Sequence, residues 1–205
     1  MIQIVRRRHV GLAGLATVVA LGAFGPPMGS SKTAVFAGGC FWGVEAVFEH
    51  VKGVKSATSG YAVPRVDEAN GATAARPGYA EAVRVTYDST RISYEQLLRV
   101  FLLVAHDPTQ LDRQGPDVGP QYRSIVFVED AEQRRAVNAF IDSLRANRVY
   151  ARPIVTEIAG LRSFRTAEDY HQDFVARHPS DAYVVNVDRP KLEHLRQQFP
   201  ELYRE

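Results

Sequence analysis

Thiols are nearly absent from this chain: among its 205 residues there is one cysteine, Cys40. That excludes an intrachain disulfide and any metal site built from several cysteines. Histidine is present without pattern. His9, His50, His106, His171, His178 and His194 stand apart, with no HxxxH or HxH spacing, so neither a metal nor another cofactor is expected. A long apolar run is missing as well. The nearest candidate, Val10 to Gly25, holds four glycines and is shorter than the roughly 20 residues a membrane-spanning helix needs. The chain also lacks a real basic excess. Its formal charge of +2 owes three positive charges to Arg6, Arg7 and Arg8, and beyond residue 31 there are 22 basic and 23 acidic residues. With no basic stripe interleaved with aromatics, nucleic acid is not an expected partner.

What is present begins with a leader. Residues 1–30 run from the three arginines through the weakly apolar stretch to a small-residue and proline segment, the layout of an export signal by the general or the twin-arginine route. An uncleaved anchor is the alternative. Either way the protein is expected outside the cytoplasm, in the periplasm or cell envelope. Residues 31–205 have the length and the apolar content of one soluble domain, and nothing in them reads as an association helix, so a monomer is expected.

Periodicity sketches the domain. "TAVFAGG" predicts a buried strand, and Val44, Val47, Phe48 and Val51 mark one face of a helix that Gly53 would close. "VKSATSGYA" predicts a second strand, followed by a loop from Val63 to Gly78. In "AEAVRVTYD", Glu81, Val83, Val85 and Tyr87 share one strand face. Ser93 and Gln96 form a capping-box pattern for a helix reaching about His106. "SIVFVE" is a strand, Asp130 caps a further helix, "PIVTEIAG" is a strand, Thr166 opens a short helix, and Pro190 sits in the first turn of a last one. The order predicts an α+β fold with helices packed on a mixed sheet.

Cys40 lies in "FAGGCFWGVEAVFEHVKGV", where a helix begins. The preceding glycines allow a sharp turn and close approach by another molecule. Free amides at a helix N-terminus favour a thiolate, so this placement is expected to raise the reactive fraction. Because the valines and Phe48 already define the buried face, Phe41 and Trp42 cannot both be spent on it, and at least one should line a pocket. The competing reading is a structural cysteine, a small buried hydrophobe.

"GCFWG", together with "AEAV", "HDPT", "RQGPDVGPQYRS", "AEDYHQDF" and "PKLEHLRQQFPELY" in that order, resembles the A-type peptide methionine sulfoxide reductases from about Thr33 to the C-terminus. The resemblance implies a ferredoxin-like two-layer sandwich. It also implies thiol-dependent reduction of methionine-S-sulfoxide, protein-bound or free. Cys40 would attack the sulfur and become a sulfenic acid, with Glu81 as proton donor and Tyr122 holding the sulfoxide oxygen. Phe41 and Trp42 would enclose the S-methyl group, and Asp117 would order the site through hydrogen bonds.

The chain departs from the family's pattern in two places. Tyr79 stands in "PGYAEAV" where a histidine is common, and Ala69 falls where a loop tyrosine would supply a second hydroxyl. A sulfoxide-binding domain with impaired turnover is therefore the alternative, and Tyr61 or Tyr79 is a candidate replacement for the missing hydroxyl. Peroxide reduction is a weaker third reading, because no arginine or threonine adjoins Cys40. Many relatives carry a further cysteine near the C-terminus; this tail has none, so an external thiol, from a thioredoxin-like protein or a small thiol, must recycle Cys40.

Overall fold

The first strand, β1 (Ser31–Ala37), is paired on both sides. Its length from Ser31 to Phe36 lies antiparallel to β3 (Ala80–Asp88), and its last residues, Val35 to Ala37, lie antiparallel to β6 (Ile125–Val128). β2 (Val54–Arg65) pairs antiparallel with β3 and with β7 (Glu157–Thr166), and β7 runs parallel to β6. The sheet order β1-β3-β2-β7-β6 thus closes on itself as a five-stranded barrel. This computed structural model describes residues 30–65 and 76–205. The leader and Ala69 lie outside the described residues.

The α+β class and the mixed sheet agree with the sequence pattern. The open, ferredoxin-like two-layer arrangement does not, because β1 uses both of its edges and leaves none free. Strand alternation divides the apolar residues accordingly. Phe36, Val83, Val85, Val126 and Ile158 face the helices and share one core with Val44, Val47 and Phe48 of α1 (Phe41–Glu49). The other faces contribute Val35, Ala37, Ala62, Ala80, Ala82, Ile125, Phe127 and Ala159 to a second cluster that contains no helical residue. Its many alanines suit the narrow interior of so small a barrel.

Both predicted N-caps form. Ser93 accepts from the Gln96 amide at 3.2 Å while Gln96 returns the bond to Ser93 at 2.9 Å, opening α2 (Tyr94–Val100). Asp130 accepts from the Gln133 amide at 2.8 Å at the head of α3 (Ala131–Ala146). Boundaries moved elsewhere. α1 ends at Glu49, before Gly53, whose φ of 93° instead turns the chain into β2. α2 widens into a π-helical turn over Phe101–Ala105. β7 starts only at Glu157 and runs through Thr166, which pairs with Gly60 and does not open a helix. The segment before the barrel closes carries a two-stranded ribbon, β4 (Arg113–Gln114) with β5 (Asp117–Val118), and a 3₁₀ turn over Pro120–Tyr122. After β7 come a 3₁₀ turn (Asp169–His171), the short α4 (Phe174–Arg177), a π-helical turn (Val184–Asp188) and α5 (Arg189–Gln198), with Pro190 in its first turn as expected. Among the described residues no helix is long and apolar enough to cross a membrane.

Candidate active site

Cys40 is the N-cap of α1, reached from β1 through Gly38 and Gly39. Gly39 has φ of +91°, and a Cβ there would lie 2.5 Å from Gln114 Cγ, so the turn needs glycine on two counts. Gln114 in turn braces the loop below: its Oε1 accepts from the Asp107 amide and its Nε2 donates to the Asp107 carbonyl, both at 3.1 Å. Gly38 is pressed by the His106 ring, and His106 is fixed by contacts to the Phe101 carbonyl at 3.0 Å and Ser124 Oγ at 2.7 Å. Burial lowers the His106 imidazole to about 4, leaving it a neutral strut.

Glu81 enters from the start of β3. Its Oε2 accepts from the Phe41 amide at 3.2 Å, which sets the carboxyl beside the first turn of α1. Burial raises its pKa to about 7 in spite of that amide, and the nearby Asp117 charge adds to the rise. A carboxyl half-protonated near neutrality can give a proton. The strand bearing Glu81 and the turn bearing Tyr122 are tied together by buried Arg123. Its guanidinium donates to the Tyr79 carbonyl at 2.9 Å, Gly78 at 3.0 Å and Pro120 at 2.7 Å, with the Glu157 carboxylate 3.5 Å from its Nε. This planar fork of contacts from both terminal guanidinium nitrogens is beyond lysine's reach.

Tyr122 is partly buried. After burial itself, the charges of Glu81 and Asp117 raise its hydroxyl, with a further contribution from Cys40, so these four residues share one neighbourhood. Asp117 accepts a hydrogen bond from the Tyr183 hydroxyl. All the predicted residues therefore meet. Phe41 and Trp42 divide as the helix face required. Phe41 is buried, edge-on to Tyr61 at 5.7 Å and to His171 at 5.1 Å. Trp42 is half-buried, stacked on Phe174 with centroids 3.6 Å apart, edge-on to Tyr183, and donating its indole N–H to His171 Nδ1 at 3.1 Å. Together they make an aromatic wall.

The thiol itself contradicts the expected thiolate. Burial pushes the Cys40 thiol well up, the Glu81 charge pushes it further, and the opposing Trp42 amide is too weak to compensate. Desolvation outweighs the helix terminus because Cys40 is only 9% exposed. The resting group is a protonated thiol.

Sequence reasoning missed Tyr183, His171 and Phe174, which complete the wall, and the buried pair Asp188–Lys191, whose Oδ1 and Nζ are 3.1 Å apart. The signal available was Gly43, the second glycine of "GCFWG". A Cβ on Gly43 would lie 2.5 Å from Lys191 Nζ and closer still to Asp188 Oδ1. Gly43→Ala should consequently be destabilising. An open helix position would gain about 1 kcal/mol from alanine, but overpacking costs about 1–3 kcal/mol and here decides the sign. Thermal unfolding should show a lowered Tm; an unchanged or raised Tm would disprove the close packing.

Two hydroxyls were proposed in place of the tyrosine that Ala69 lacks. Tyr61 lies directly across β2–β3 from Glu81, but its hydroxyl donates to Glu168 at 3.2 Å. Tyr79 is 51% exposed and packs edge-on to Tyr61 at 5.6 Å.

A sequence profile of the family described as "Peptide methionine sulfoxide reductase" matches residues 32–203. The chain belongs to that family. Peptide methionine sulfoxide reductase MsrA 2 of Mesorhizobium japonicum is 50% identical over 177 residues, covering 85% of this chain and 91% of the relative. Its counterpart in Synechocystis is 46% identical, covering 82% and 80%. These similarities place the chain with the A-type reductases. Among solved structures, methionine sulfoxide reductase A of Corynebacterium diphtheriae is 30% identical with a TM-score of 0.59, over 77% of this chain and 78% of that one. Reduced Mxr1 of Saccharomyces cerevisiae is 26% identical with a TM-score of 0.61, over 74% and 87%.

Proposed function

We propose that this peptide methionine sulfoxide reductase reduces methionine-S-sulfoxide, protein-bound or free, through Cys40 as nucleophile and Glu81 as proton relay. The observation that carries the assignment is the placement of the only thiol at the head of α1 and of a carboxyl of pKa about 7 against the same helix turn, beside an aromatic wall. The sulfoxide sulfur is electrophilic and its oxygen basic. Glu81 protonates the oxygen while the Cys40 sulfur bonds to the substrate sulfur, and the carboxylate so formed takes the thiol proton. The hydroxyl then passes from the substrate sulfur to the Cys40 sulfur as the sulfur–sulfur bond breaks, so Cys40 is oxidised and methionine is released. The half-reaction is proton-balanced: thiol plus sulfoxide gives sulfenic acid plus methionine. A protonated resting thiol is thus compatible with attack, because its proton passes to the carboxylate that Glu81 becomes on protonating the oxygen. Tyr122 holds that oxygen, Asp117 with Tyr183 orders the surroundings, and the Trp42–Phe174 wall receives the S-methyl group.

Recycling needs two equivalents of thiol from outside, since no second cysteine exists. A thioredoxin-like protein or a small thiol serves as donor. We further assign residues 1–30 to an export signal or anchor and a periplasmic or envelope location to the protein, acting as a monomer. The domain beyond residue 30 contains no methionine, so one copy offers another nothing to repair.

The test uses the separated sulfoxide diastereomers without reductant. The S form should yield one methionine per Cys40 and a sulfenic acid that dimedone traps, the R form nothing, and dithiothreitol should restore turnover. Binding of the S form with no methionine released would establish the impaired-binder alternative instead.

A further inference from the structure

Cys40 has a second carboxyl close by that the reaction so far does not use. Asp188 ends the π-helical turn before α5, is 0% exposed, and directs Oδ1 to Lys191 Nζ at 3.1 Å. Its other oxygen, Oδ2, is buried without a hydrogen-bond partner among the described residues. The carboxyl lies against the Gly43 backbone, three residues after Cys40. Positions three apart share a helix face, whereas positions two apart do not. Asp188 therefore flanks Cys40 from the Gly43 side of the turn, and Glu81 flanks it from the Phe41 amide. Cys40 senses both Asp188 and Lys191.

We propose that Asp188 donates the proton with which the hydroxyl of oxidised Cys40 leaves as water when an external thiol attacks, and that Lys191 is a positioning residue for that carboxyl. The step rests on the reading that Cys40 passes through a sulfenic acid. The attacking thiolate sulfur forms a disulfide bond to Cys40 Sγ, the S–O bond breaks with its electron pair on oxygen, and the Asp188 proton completes water. A second thiol then reduces the mixed disulfide and releases Cys40 as a thiol. Oxidised Cys40 extends one oxygen atom beyond the reduced side chain, and that hydroxyl is the group assigned to Oδ2, which has no partner in the reduced protein. Burial raises the Asp188 carboxyl despite the opposing Lys191 charge, the direction that favours its acid form. An unpaired buried carboxyl oxygen costs stability, and a role in only one half of the cycle accounts for its retention in the reduced form.

The experiment separates the two half-reactions in Asp188→Asn, which retains size and an acceptor for Lys191. Methionine formed in one turnover without reductant is measured first. The sulfenic acid is then mixed with dithiothreitol, and its reduction is followed through the fluorescence of Trp42, the only tryptophan, and by loss of dimedone trapping. The expected result is a methionine burst of wild-type rate within about 2-fold and a reduction step slower by roughly 10- to 100-fold. Sulfenic acid should consequently accumulate during turnover. Wild-type reduction by Asp188→Asn, or equal losses in both half-reactions, would overturn the proposal. Lys191→Met supplies the same comparison if Asp188→Asn does not fold: slowed reduction with a preserved burst supports the pairing, and unchanged reduction refutes it. A wild-type protein that yields no burst at all would instead overturn the assignment of Cys40.

Discussion

Cys40→Ser is expected to abolish sulfoxide reduction completely while leaving the fold in place. A hydroxyl in the same slot keeps the N-cap geometry and the contacts of a residue that is almost fully buried, so the stability change should stay within the 0.5–3 kcal/mol ordinary for a point substitution, roughly at its lower end. The hydroxyl cannot replace the thiol chemically, because it neither attacks sulfoxide sulfur nor survives as a reducible oxidised form. The measurement is methionine release under excess dithiothreitol, with circular dichroism to check the fold. Any turnover attributable to the variant would refute the role of Cys40.

Glu81→Gln is expected to slow the same reaction by roughly 10² to 10⁴-fold, the range for loss of a general acid. Glutamine preserves an acceptor for the Phe41 amide and removes only the proton. The pH dependence fixes the mechanism further. With Glu81 at about 7, the protonated form predominates below neutrality, so wild-type single-turnover rates should fall as pH rises through 7, and this limb should vanish in the variant. Stability should move the same way. The folded pKa lies above the ordinary 4.5, so the favourable contribution of Glu81 is fully present below about 4.5 and lost as pH rises through 7. At pH 8 the buried carboxylate is a burden that glutamine removes, and Glu81→Gln should melt no lower than wild type there. Lower Tm at pH 8 together with a pH-independent loss of rate would mark Glu81 as a structural residue.

Local patterns in the chain were good guides to local structure. The cap at Ser93 with Gln96 and the cap at Asp130 depend on residues three apart, and both form as read. The face carrying Glu81 with Val83, Val85 and Tyr87 is set by strand alternation alone, which is why Glu81 opens an apolar face and is partly desolvated. β7 was misplaced because "PIVT" has strand composition but no strand partner. Its pairing is settled by β2, about a hundred residues earlier, and by β6, about thirty residues earlier, positions that no local window contains.

The ionisation of Cys40 shows the same division more sharply. A helix N-terminus predicted a thiolate, an inference from sequence-local amides. The tertiary fold buries the sulfur and brings Glu81 and Asp188 to it, and desolvation then reverses the sign. Tyr183, Phe174, His171, Asp188 and Lys191 all come from the C-terminal third, where their spacing follows no period pointing at Cys40.

By itself, then, the sequence determined which chemistry is available: one thiol, no disulfide, the order of strands and helices, and the positions of Cys40, Glu81, Tyr122, Phe41, Trp42 and Asp117. Tertiary structure alone decided that the sheet closes, that the thiol rests protonated, and that a buried aspartate–lysine pair stands against Gly43. The reason is physical. Capping, alternation and helix periodicity act over a few residues, whereas burial and charge proximity depend on segments whose separation along the chain carries no record of their contact.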